Sequence, residues 1–372
     1  MVLNVLWAGG SMNCSALRAG QRLRTVYHSS HSWLNIFIIM MIATPAIASN
    51  RQKNDTITLK NGDVITCEIR SLEKGQLTIK QPNAISTVAL DWKSVATLQS
   101  KQAFVVIDNH GKTFSGTIHQ DAVDSMLVVE GVASAAIPHG LVVSIEETDA
   151  RFFRSWRGDI DLGMSFAQSN SQKQVTLQGD LVSQTEKRVI GGTVSTQFTS
   201  QLETSNTRET DIKTEYFIQL RRTRWAEGGI ANFLSSSAQK INLRTSVGGA
   251  LAMRPIISNK TDLTFIGGLA YTVENDSSTA TSPRSNSVDS AFAVQYATFR
   301  FDSTDFDTTV WVYPSLTQGG RVRMTLNQDV YVKFYKDFYV RGSFYDNYDN
   351  RPTVSAPANN VGTSLTVGWS FR

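Results

Sequence analysis

Residues 321–334 read RVRMTLNQDVYVKF. Val322, Met324, Leu326, Val330, Val332 and Phe334 share one parity, and Arg321, Arg323, Thr325, Asn327, Asp329 and Lys333 share the other. Successive side chains of a strand point to opposite faces, so this alternation predicts a strand with one apolar and one charged side. Strands of soluble proteins average about five or six residues, whereas a strand tilted across a bilayer needs about 9–11. The length of this stretch therefore points to a membrane.

The pattern recurs on both sides of it. About twelve segments carry it: 157–167, 173–184, 189–202, 210–222, 225–235, 241–253, 261–273, 290–301, 306–314, 321–334, 336–347 and 361–371. An even number of long strands, apolar on one face and polar on the other, predicts an all-β fold closed as an antiparallel transmembrane barrel. The connections alternate as such a barrel requires. Residues 185–188, 223–224, 254–260, 302–305 and 335 are short turns, while 274–289 and 348–360 are longer, polar and rich in Ser, Asn and Thr. Residues 291–301 are apolar on both parities, which suits a strand facing lipid outside and a packed lumen inside.

Closure also accounts for the end of the chain. Residues 359–372 read NNVGTSLTVGWSFR, with Val361, Leu365, Val367, Trp369 and Phe371 on one face. Lipid offers no hydrogen bond to a free strand edge, so the last strand must pair with the first. Trp369 and Phe371 are then expected at the headgroup level, and as the aromatic signal read by the outer-membrane assembly machinery.

Upstream, the chain predicts export. Residues 33–43, WLNIFIIMMIA, form a short uncharged apolar run after Arg18, Arg22 and Arg24, and AIA follows at 46–48. We read residues 1–48 as a signal peptide cleaved after Ala48. Cys67 is then the one cysteine of the mature chain, set in an alternating strand, and is expected as a packed core thiol.

Residues 49–148 predict a small duplicated β module. Asn61-Gly62 and Lys74-Gly75 mark hairpin turns between short alternating runs. LKNGDVITCEI at 59–69 aligns with DNHGKTFSGTI at 108–118, and QLTIK at 76–80 with MLVVE at 126–130. Two SH3-like units are expected, over 49–100 and 101–148, joined by a linker at 149–155 to a barrel over 156–372. His110, His119 and His139 have no ligand spacing and read as surface or turn residues.

Composition narrows the function. Charged residues make up 18% of the 372 and the net charge is +4, which argues against nucleic-acid binding. From residue 156 onward the chain has no histidine, which removes the usual Ser–His pair from the barrel and argues against an enzyme. No cofactor or metal is expected.

The stretches WRGDIDLGMSFAQSNSQ (156–172), LRTSVGGALAMRP (243–255), LTFIGGLAY (263–271) and NNVGTSLTVGWSF (359–371) resemble the salt-induced outer-membrane protein family, a domain family of unknown function. ITLKNGDVITCEI at 57–69 resembles the small β unit that precedes the barrel in some members. The resemblance implies an outer-membrane location and supplies no catalytic residues. Members usually end on the aromatic itself, whereas here Arg372 follows Phe371.

The expected lumen face carries both signs: Asp159, Asp161, Asp180, Asp211, Lys213, Glu215, Arg221, Arg244, Arg300, Arg321, Arg323, Asp329, Lys333 and Arg341. These groups must pair or stay hydrated, either as a salt-bridged plug or beside a wet path. Two readings follow. One is a narrow pore for ions or small solutes, tied to osmotic or salt response. The other is a non-conducting scaffold whose periplasmic module meets a periplasmic protein or peptidoglycan. The expected surroundings in both are outer-membrane lipids, with the module in the periplasm.

Overall fold

The computed structural model describes residues 54–371 apart from 83, 85–86, 121–125, 132–133, 148–155, 168–171, 186, 202–203, 221–223, 277–283, 300–303, 336 and 353–355. Residues 1–48, read above as a signal peptide, the linker expected at 149–155, Arg221, Arg300 and Arg372 lie outside the described residues.

Nine short strands come first: β1 (Asp55–Leu59), β2 (Val64–Glu73), β3 (Gln76–Lys80), β4 (Val88–Asp91), β5 (Val95–Asp108), β6 (Thr113–Gln120), β7 (Met126–Gly131), β8 (Ala135–Pro138) and β9 (Val142–Glu147). A 3₁₀ turn (Trp92–Ser94) precedes β5, and a second (His139–Leu141) precedes β9. Each half therefore runs through four strands, a 3₁₀ turn and a closing strand, and β5 closes the first half and opens the second. The boundary expected at residue 100 falls inside this 14-residue strand.

The closing strands join the halves, each pairing on both sides of the joint: β5 also pairs with β1 through Thr56↔Gln99, and β9 with β5 through Val106↔Ile145. β5 pairs with β6 through Leu98↔Gln120 and Ser100↔Ile118, and β9 pairs with β2 through Leu72↔Ile145. One core results, with Ile57, Ile69 and Leu77 from the first half against Ile118, Leu127 and Ile145 from the second, all inaccessible to solvent. A unit of about 45 residues buries too little apolar surface to stand alone, and sharing a core removes that shortfall. These are thus halves of one folded unit rather than successive domains.

Trp92 and His139, each the first residue of its 3₁₀ turn, stack with ring centroids 4.0 Å apart. Trp92 Nε1 donates to the His139 carbonyl at 3.0 Å, and His139 Nε2 lies 3.0 Å from the Trp92 carbonyl. His139 is thus a half-buried ring in the joint between the halves, not a surface residue, and burial lowers its pKa. Cys67 is fully buried, and burial pushes its thiol up to about 12.

The remaining twelve strands form one closed barrel. They are β10 (Trp156–Ala167), β11 (Gln172–Gln184), β12 (Arg188–Gln201), β13 (Thr204–Gln219), β14 (Trp225–Ser236), β15 (Ile241–Ile257), β16 (Thr261–Asp276), β17 (Arg284–Thr298), β18 (Thr304–Pro314), β19 (Val322–Tyr335), β20 (Phe338–Asp349) and β21 (Asn359–Phe371). Neighbours in sequence pair antiparallel, and β21 returns to β10 from Gly158↔Phe371 to Leu162↔Val367. Several strands outrun their expected ends. In the polar segment 274–289, residues 274–276 and 284–289 are strand, with Asn275 opposite Arg284. Backbone pairing does not depend on side-chain polarity, so the ladder continues past the apolar belt.

The outside is apolar. Met164 is 73% exposed and Leu365 70%, and Leu162, Val247, Leu269 and Phe292 are also exposed. Such a surface is stable against hydrocarbon, not water. Trp225, Tyr335, Phe338 and Trp369 are exposed toward the module end, where amphipathic rings favour the headgroup layer. Trp369 faces outward in register with Phe338. The side chain of Phe371 lies outside the described residues.

Inside, the backbones of β14–β16 approach closely at glycines. A Cβ on Gly228 would come 1.9 Å from the Tyr216 carbonyl oxygen, and one on Gly248 would come 2.1 Å from that of Leu269. Ala250, Ala270, Ala291 and Ala293 extend this small-residue surface, and Trp311, 4% exposed, packs on it. The double apolar pattern at 291–294 follows from this: Ala291 and Ala293 pack with Trp311, while Phe292 and Val294 face out.

Candidate functional site

Strand parity turns the charged faces into the lumen, where they sort by height. At the end away from the module, Arg244 on β15 donates to Glu274 on β16 at 2.6 Å, and its Nη2 lies 3.4 Å from Asp349 on β20. Arg321, just before β19, meets Asp349 at 2.6 Å and Glu274 at 3.2 Å. Arg323 pairs with Asp289, which also accepts from Thr272 at 2.8 Å and from Ser287 at 3.0 Å. Three guanidinium groups thus face three carboxylates, and the side chains are 9% exposed or less. Alternating charges across the lumen satisfy one another, the condition for holding ions out of water.

Glu274, Asp289 and Asp349 were not anticipated, because they fall in segments expected to be loops. The alternation Tyr271, Val273 against Thr272, Glu274 was the available signal.

Nearer the module, Arg341 on β20 gathers three aspartates. Its Nη1 donates to Asp161 at 2.9 Å and Asp180 at 3.0 Å, and Nε and Nη2 grip Asp329 at 2.9 and 3.0 Å. The guanidinium sits 5.0 Å from the Tyr331 ring centroid. One cation against three carboxylates leaves this layer acidic.

A cavity of about 650 Å³ extends from this layer to the module, lined among others by Asp159, Asp211, Lys213, Glu215 and Lys333. Lys213 pairs with Asp211 at 3.1 Å. Hydrogen bonds cross the lumen here: Tyr345 donates to Gln197 at 2.9 Å, and Asn347 to Glu209 at 3.0 Å. The expected lumen residues thus divide into Arg244, Arg321 and Arg323 in the outer network, Asp161, Asp180, Asp329 and Arg341 in the inner one, and Asp159, Asp211, Lys213, Glu215 and Lys333 on the cavity wall.

The cavity floor belongs to the module. Glu73, Lys74, Ile107 and Ser144 line it from below. Contacts run around the rim: Glu73 to Arg157 at 2.8 Å, Lys74 to Asp305 at 2.7 Å, Thr113 to Gln219 at 2.5 Å, Arg224 to the Asn109 carbonyl at 3.1 Å and Asn259 to the Val142 carbonyl at 2.8 Å. The module meets the barrel through its turns and the ends of its strands.

Residues 160–371 match the family described as "Protein of unknown function, DUF481". The chain belongs to this family. The matched span begins in β10 and ends in β21, so the DUF481 region coincides with the barrel. Several solved outer-membrane barrels are similar to this DUF481 protein. The NanC porin is 10% identical with a TM-score of 0.38, covering 58% of this chain and 99% of that one. An outer membrane channel from Pseudomonas putida F1 is 11% identical with a TM-score of 0.35, covering 58% and 93%. The translocator domain of the autotransporter NalP from Neisseria meningitidis is 15% identical with a TM-score of 0.32, covering 58% and 86%. No curated protein matches.

Proposed function

We propose that this protein is an outer-membrane barrel with a narrow passage for ions or small solutes, closed by its own periplasmic module. The observation that carries the reading is the charged cavity of about 650 Å³ inside an apolar-faced barrel, with its floor made by Glu73, Lys74, Ile107 and Ser144. A structural barrel needs no hydrated interior beneath a removable floor. The rim contacts named above are polar, as suits a surface that separates and re-forms. The reading includes insertion by the outer-membrane assembly machinery through β21, and it assigns no catalysis. The family resemblance adds osmotic or salt response as the setting.

Planar-bilayer recording tests it. The full chain should give rare, small current steps. The double variant Glu73→Gln, Asn259→Ala, which loosens the floor at two points, should be open for a larger fraction of the time. If both proteins insert folded and stay silent, the passage is refuted. The scaffold reading, in which the module's outer face meets a periplasmic protein or peptidoglycan, then takes its place.

A further inference from the structure

We propose that the lumen contains a binding site for a primary ammonium cation, and that Lys74 of the module occupies it in this structure. The β2–β3 hairpin carries Lys74 at its tip with φ 53°, followed by Gly75 with φ 73°. A two-residue hairpin turn takes positive φ at both central residues, and this one aims the Lys74 side chain at the barrel. Lys74 Nζ lies 2.7 Å from Asp305 Oδ2, 5.2 Å from the Phe299 ring centroid and 6.0 Å from that of Tyr331.

One carboxylate and two aromatic faces make a cage suited to an ammonium with N–H donors. Asp305 is 7% exposed, so the cage is built into the wall. Two residues along, Asp307 also lines the cavity, and its Oδ1 is buried with no hydrogen-bond partner among the described residues. The occupant comes from the module, not the barrel, and only the hairpin tethers it. A free amine can make the same contacts once Lys74 withdraws. The solute class rests on the passage proposed above: a primary amine entering the lumen competes with Lys74 and loosens the floor.

The test reads binding rather than current, so a silent barrel and an absent site are told apart. Lys74→Asn removes the ammonium, and Asn tolerates a positive φ. The full chain, folded in detergent micelles, is titrated calorimetrically with n-butylammonium chloride at matched ionic strength. Lys74→Asn should bind at least ~10-fold tighter than the parent, whose tethered lysine competes. Adding Asp305→Asn should weaken that binding by ~10-fold or more, and tetramethylammonium, which has no N–H to donate, should bind ~10-fold more weakly. Equal affinity in parent and Lys74→Asn, indifference to Asp305→Asn, or equal binding of tetramethylammonium would each overturn the site. If Lys74→Asn does not fold, Lys74→Gly, which suits the same backbone, is held to the same outcomes.

Discussion

Arg341 shows how one side chain can organise a lumen. Its planar fork reaches Asp161, Asp180 and Asp329 together, in a geometry lysine cannot reproduce. Asp161 is inaccessible to solvent, so losing its partner leaves a carboxylate stranded among barrel side chains. Arg341→Met should therefore destabilise the barrel by about 3–5 kcal/mol, the usual cost of breaking a buried pair from one side. Unfolding of micelle-bound protein in urea, followed by tryptophan fluorescence, would show the midpoint shift. Arg341→Lys, which keeps the charge but not the fork, should lie between the two.

Among the elements, β14–β16 depend most on what their residues lack. Gly228 and Gly248 allow backbones to approach where any Cβ would meet a carbonyl oxygen at about van der Waals-violating range, 1.9 and 2.1 Å. The tight fold they permit makes the seat for Trp311. Gly248→Val forces the strands apart, and overpacking of this kind costs about 1–3 kcal/mol or more. The expected outcome is a lower yield of the heat-modifiable folded band on gels, with the Trp311 emission shifted to the red. An unchanged band and spectrum would mean the curvature does not need that glycine.

At the scale of the whole molecule, two closures are built on the same rule. β21 must return to β10 because an unpaired edge in lipid costs several kcal/mol per backbone group. In the module, the last strand of each half also pairs with the other half, so two units too small for separate cores share one. Removing residues 359–372 opens both β10 and β20. No heat-modifiable barrel should form, although the module, whose core lies wholly in β1–β9, should still protect Cys67 from thiol reagents. Reactive Cys67 in that truncated protein would show that the module folds only on the barrel.

Strand number, antiparallel closure and the split between lipid and lumen faces were all present in the sequence. A period of two is a local property, and membrane thickness sets the length of the strands that carry it. The buried Cys67 was legible for the same reason, as alternation within a short strand. What local pattern cannot carry is partnership across the barrel. Arg321 and Glu274 are 47 residues apart, and Arg341 and Asp161 are 180 apart. Their pairing depends on barrel circumference and strand stagger, which exist only once the cylinder closes. Tertiary structure alone likewise brought Lys74 to Asp305 across 231 residues. It also made one core of two half-modules, because a strand's alternation is the same whichever half it pairs with.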